Sequence, residues 1–233
     1  MRAITATRMG LPWYEVVREQ LARSRPILIF VATLSALVMA AAQAMSMWLG
    51  QPIWYFTQDP ATTAEMSWSL GLVSQFGVML WSAAVAVCAL AGAVLWPSEE
   101  QRPWALFAFA SAAVTLVYLL DDALLLHENV LRDHLGIPEV VTYAAYAILG
   151  LAYLVRFAWA VRRTDFFLLV GSLACGGLSM AVDLIDPYLF WLEDGAKFLA
   201  VALWFAYYFQ ATSEMLRPRL PRPASREQSP RAR

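Results

Sequence analysis

The sequence predicts an all-α protein: a polytopic transmembrane helical bundle of six spans, entered through an N-terminal interfacial amphipathic helix. Three observations predict it. Of 233 residues, 60% are hydrophobic and 15% are charged, whereas a soluble domain carries roughly 25% charged residues. The mean hydropathy is +0.54. Six separate stretches approach the roughly 20 apolar residues a helix needs to cross ~30 Å of hydrocarbon. Lipid offers no partner to backbone N–H and C=O groups, so such runs close their hydrogen bonds within themselves, as helices.

The elements follow in order. "LPWYEVVREQLARSRP" (11–26) has Pro12 near a helix start and Leu11, Tyr14, Val17 and Leu21 on one side. That pattern suits a helix lying in the membrane interface, so residues 1–26 are expected to form a cytoplasmic amphipathic segment. No short apolar core of a signal peptide precedes the first span, so no cleaved leader is expected. The spans are 27–49, 69–96, 104–126, 140–161, 166–190 and 194–213, which makes 27–213 one transmembrane domain. The fifth and sixth are the least clean, interrupted by Asp183, Asp186, Pro187, Glu193 and Asp194. The tail, 214–233, is rich in Arg and Pro with little to bury, and is expected to be disordered.

Arginine distribution orients the bundle. Arg2, Arg8, Arg18, Arg23 and Arg25 precede the first span; Arg102 follows the second; Arg156, Arg162 and Arg163 end the fourth; six more occupy 217–233. The opposite loops hold only Arg132, with Lys197 just inside the sixth span. Positively charged loops stay inside, so both termini are expected in the cytoplasm of a bacterial inner membrane. A net charge of −1 gives no electrostatic case for nucleic acid. Two cysteines inside apolar stretches, Cys88 and Cys175, exclude a disulfide framework. No nucleophile elbow, phosphate-cradling glycine loop or HExxH zinc motif is present.

This topology brings carboxylates together. "LLDDALLLHENVLRDH" (119–134) lies at the outer end of the third span, Asp183 and Asp186 at the outer end of the fifth, and Glu193, Asp194 and Lys197 at the start of the sixth. At 100° per residue, Asp121 and Glu128 fall about 20° apart on an unbroken helix, and Asp122 lines up with Ser111, Thr115 and Tyr118. Ser172, Ser179, Asp183 and Asp186 share a stripe with Gly176 beside it, and Glu193, Lys197, Trp204 and Tyr208 share a face. Polar groups in a span face the bundle interior, so the third, fifth and sixth spans are expected to surround a pocket opening outward. His127 reaches it only where the helix ends or unwinds near Leu126. His134 reads as a solvated loop histidine.

Three functions fit these residues. Asp121, Asp122, His127, Glu128, Asp183 and Asp186 are candidate ligands for a divalent metal ion, the oxygen-rich set favouring Mg, Mn, Ca or iron. Such an ion would serve a membrane hydrolase or oxidoreductase acting on a lipid or small-molecule substrate, with Glu193 and Lys197 as candidate catalytic groups. Lys197 is the chain's single lysine. Charge balance is its ordinary role; a Schiff base to a retinal-like aldehyde is the sharper alternative. The second function is a proton- or cation-coupled transporter or channel. The third is a non-catalytic assembly subunit, its acids merely placed at helix ends. Expected partners are the lipid bilayer and either further copies of the chain or a larger membrane complex.

Overall fold

A computed structural model describes residues 13–58, 60–67, 69–185 and 189–217, and every regular element in them is helical. The segments 1–12 and 218–233, and with them most of the expected disordered tail, lie outside the described residues. The chain divides into two compact units, Met1–Leu70 and Gly71–Arg233.

In the first unit, α1 covers Trp13–Leu49 as one helix with Pro26 inside it. The interfacial segment and the first span are therefore continuous. Proline removes one i→i−4 bond from a helix, yet the flanking sequence carries the helix through. Gly50 ends it at φ 64, in the left-handed conformation that glycine adopts at no steric cost. The freed end is tied by Ser46, whose Oγ donates to the Gln51 carbonyl at 2.6 Å. Ile27, Leu28, Ile29 and Phe30 are all exposed in succession, so the helix is apolar in every direction, as a lipid-facing span is. Two single-turn helices follow, α2 at Trp54–Thr57 and α3 at Pro60–Thr63.

The second unit contains α4 (Leu72–Leu95), α5 (Arg102–Leu124), α6 (Glu139–Arg156), α7 (Ala158–Val161), α8 (Phe166–Ile185) and α9 (Phe190–Leu216). Helix α4 turns its small residues inward: Gly77, Ala84, Cys88, Ala91 and Gly92 are buried. Small residues let helix backbones approach closely. A Cβ added at Gly92 would meet the Phe109 ring of α5 at 2.7 Å. Helix α5 begins with Pro103 in its first turn, where a missing N–H costs nothing. Its inward face carries Ser111 and Thr115, both fully buried.

Cross-helix hydrogen bonds pin the bundle. Trp204 Nε1 on α9 donates to Thr115 Oγ1 on α5 at 3.0 Å. The Ser111 and Tyr153 hydroxyls are 2.7 Å apart, and Tyr208 donates to Tyr153 at 2.9 Å, joining α5, α6 and α9. Ser172 Oγ on α8 donates to the Ala200 carbonyl on α9 at 2.7 Å. In space the order is α6, α5, α4, α9, α8, each packed on the next, and among the described residues α6 and α8, at the two ends of that series, are not among the helix pairs whose backbones approach closely.

Among the described residues, three helical stretches are long and apolar enough to cross a membrane: Ser24–Leu49, Leu72–Leu95 and Glu99–Leu124. Val140–Arg156 and Phe166–Val182 are apolar but shorter. Helix α9 is long, but Gln210, Thr212, Ser213 and Glu214 dilute its second half, and it runs to Leu216, past its expected end at 213.

The third span departs most from expectation. Helix α5 stops at Leu124, Leu125 is left-handed (φ 50, ψ 43), and Leu126–His134 is wound as a π-helix. The alignment of Asp121 with Glu128 assumed an unbroken α-helix and does not hold.

Candidate functional site

The arc of helices encloses a cavity of about 710 Å³. Asp121, Asp122, His127, Arg132, Asp133, Glu193 and Lys197 line one end of it, at the C-terminal end of α5, in the π-helical turn and in the first turns of α9. Ser172, Gly176 and Ser179 line it from α8. Of the residues proposed from sequence, Asp121, Asp122, His127, Glu193 and Lys197 thus face one space. Asp186 lies outside the described residues, as do the side chains of Glu128 and Asp183. Among the described residues no group of three or more His, Cys, Asp or Glu side chains is clustered as a metal site.

The break at Leu125 builds the first feature of the site. On a continuous helix His127 would lie about 120° round from Asp121. The left-handed residue folds it back instead. Its backbone N–H donates to Asp121 Oδ1 at 3.0 Å, and its ring Nδ1 sits 2.7 Å from Oδ2. Tyr146 of α6 lies near this carboxylate. Asp121 therefore meets His127 with both carboxylate oxygens, and both residues are buried. A nitrogen this close to a carboxylate oxygen carries the shared proton, so Asp121 fixes the ring's orientation through Nδ1.

The second feature is an ion pair across the cavity. Lys197 Nζ lies 2.7 Å from Asp122 Oδ1, linking α9 to α5. The Asp122 side chain is 11% exposed and that of Lys197 44%. Glu193, one turn away on α9, lines the same end of the cavity. Across the fold, the carboxylate on α5 comes within salt-bridge reach.

Below this charged end the cavity is aromatic. Trp81, Tyr118 and Trp204 line it, with ring centroids 5.6–5.9 Å apart. Beneath them Tyr208, Tyr153 and Phe107 are buried and packed ring against ring.

One wall was missed by sequence reasoning. Tyr143, Tyr146, Ala147, Gly150, Leu151 and Leu154 of α6 all line the cavity. A Cβ at Gly150 would meet the Tyr118 hydroxyl at 3.1 Å. The signal was the i, i+3, i+7, i+11 spacing of Tyr143, Tyr146, Gly150 and Leu154, which reads as ordinary packing because the face carries no charge. Trp81 on α4 was missed for the same reason.

The fold and site define a helical protein with membrane-length apolar helices and an amphipathic internal cavity. Residues 28–211 match the family described as a domain of unknown function (DUF8692), and the chain belongs to it. No curated protein and no solved structure matches.

Proposed function

We propose that this chain is a six-span protein of the bacterial inner membrane, with both termini cytoplasmic, whose cavity binds a small amphiphile. The polar group of the ligand meets the charged end formed by Asp122, Lys197, Arg132 and Glu193. Its apolar part lies along Trp81, Tyr118, Trp204 and Leu154. The polarity of the cavity wall carries this reading. Charged side chains gather at one end, and aromatic and aliphatic ones line the rest, as in a site that selects a molecule with both characters. The amphipathic wall also favours a ligand-binding protein over a purely structural assembly subunit.

A divalent cation at the charged end is a second reading, favoured by the Asp121–His127 geometry. Histidines that bind metals are commonly oriented by a carboxylate on their other ring nitrogen. In that case Asp121 supports the site from behind, and His127 and Asp122 supply direct ligands. The cation would equip the site for hydrolysis or redox chemistry on the bound amphiphile.

Both readings are tested on full-length protein purified in mild detergent. Native mass spectrometry should find a co-purifying amphiphile, and elemental analysis a bound metal. The double variant Asp122→Asn/Lys197→Met removes the pair without leaving a lone charge, and should lose the amphiphile while staying folded. An empty wild-type protein, or undiminished retention in the double variant, defeats the binding reading. Less than stoichiometric metal, unchanged by His127→Ala, defeats the metal one.

A further inference from the structure

We infer that the cavity opens sideways, between α6 and α8, and takes its ligand from the bilayer: a membrane lipid whose head group carries both an ammonium and an anionic group. This rests on the proposed binding of an amphiphile and deepens it by naming the ligand's class and its route.

The gap follows from the packing. Five helices surround the cavity, and successive neighbours in the order α6, α5, α4, α9, α8 pack on one another. The ring would close through α6 and α8, which both line the cavity but are not among the closely approaching helix pairs of the described residues. Cavity-lining residues on both helices are exposed: Leu151 on α6 is 62% exposed and Leu173 on α8 is 44% exposed. Gly177 lines the cavity, is exposed, and has nothing within 4 Å of where a Cβ would stand. Its neighbour Gly176, by contrast, faces Ala200 at 3.8 Å. The rim of the gap is therefore apolar and low on the α8 side, as a hydrocarbon chain lying in it requires.

The head-group class follows from charge. With Asp121 engaged by His127, the polar end presents Asp122, Asp133 and Glu193 together with Lys197 and Arg132, Lys197 lying against Asp122 and Arg132 beside Asp133. Carboxylates suit an ammonium, and the two basic side chains suit a phosphate. A purely anionic head would meet the carboxylates unfavourably, and a purely cationic one the basic pair. A zwitterion meets both.

The test uses full-length protein in vesicles of phosphatidylglycerol and phosphatidylcholine, doped with phosphatidylethanolamine bearing a photoreactive diazirine on its acyl chain. After irradiation, the labelled peptides are mapped by mass spectrometry. Peptides containing Tyr118 and Trp204 should be labelled in the wild type. In Gly177→Trp, whose new ring would project into the gap, that labelling should be lost, while Gly177→Ala retains it. Exposed positions such as Phe30 should label alike in all three. Cavity labelling undiminished in Gly177→Trp overturns the lateral route and leaves amphiphile binding intact. Equal cavity labelling by a phosphatidylglycerol probe overturns the head-group assignment. If vesicle lipid fails to label the cavity but soluble dihexanoyl phosphatidylethanolamine raises thermal stability, the ligand arrives from water and the portal is overturned. Failure of both probes overturns the amphiphile reading itself. A dimer that Gly177→Trp converts to monomer would assign the gap to a second copy, overturning the lipid portal.

Discussion

Lys197 Nζ and Asp122 Oδ1 are 2.7 Å apart, from the first turns of α9 to the last turn of α5. The pair joins two walls of the cavity at its charged end. It also separates the two aspartates by role: Asp121 is committed to His127, while Asp122 faces the ammonium.

That division predicts a non-additive mutant cycle. Lys197→Met strands a largely buried carboxylate. Because Lys197 is itself 44% exposed, the loss should be about 1–2 kcal/mol, below the range for fully buried pairs. Adding Asp122→Asn should recover most of it. Denaturant unfolding of all four proteins measures the coupling, and additive losses would show the pair to be energetically idle.

Asp121→Asn preserves shape but leaves one carbonyl oxygen where two carboxylate oxygens met the two nitrogens of His127. It can satisfy one His127 donor and not both, so a loss of about 1–3 kcal/mol is expected. The ¹⁵N chemical shifts of the imidazole should report the change directly, as Nδ1 loses its fixed partner. Unchanged ring shifts would mean that Asp121 does not set the histidine's orientation.

Leu125 holds a left-handed conformation that costs a non-glycine residue about 1–2 kcal/mol and is 42% exposed. Leu125→Gly should therefore stabilise the protein by about 0.5–1 kcal/mol, the relief of strain outweighing added freedom in the unfolded chain. Leu125→Val, β-branched, should destabilise it. Thermal melts of the two variants moving in the same direction would contradict the backbone geometry at the break.

Orientation is tested by labelling. In a background lacking Cys88 and Cys175, single cysteines at positions 139 and 225 should react with impermeant reagents from outside and inside the cell respectively. The reverse pattern would put the charged end of the cavity on the cytoplasmic side.

The helices were legible because long apolar runs are a local property. The spans read from sequence fall on α4, α5, α6, α8 and α9 within a few residues at most ends, and 27–49 falls within α1. The inward line Ser111, Thr115, Tyr118 and Asp122 was legible through the 3.6-residue period. The sequence tied His127's access to a helix end near Leu126, and α5 ends at Leu124; the left-handed Leu125 and the π-helical turn after it were not legible, since leucine is a strong helix former. Nor was the partner of Lys197, because spacing reveals neighbours one turn away and is silent about the facing helix. The α6 wall escaped because tyrosine and glycine in an apolar run look the same whether they face a cavity or a core.

Beneath Trp204, the buried rings of Tyr208, Tyr153 and Phe107 and the hydroxyl of Ser111 form a packed, hydrogen-bonded layer. The space above them is consequently a cul-de-sac within the chain. A ligand bound above that layer could not pass through it without displacing these rings, so on the proposed reading arrival and departure would share one side of the cavity. Such a vessel suits a molecule that is held, or altered where it rests, and sent back to the side it came from. Onward passage to the far face would require the aromatic plug to be dismantled.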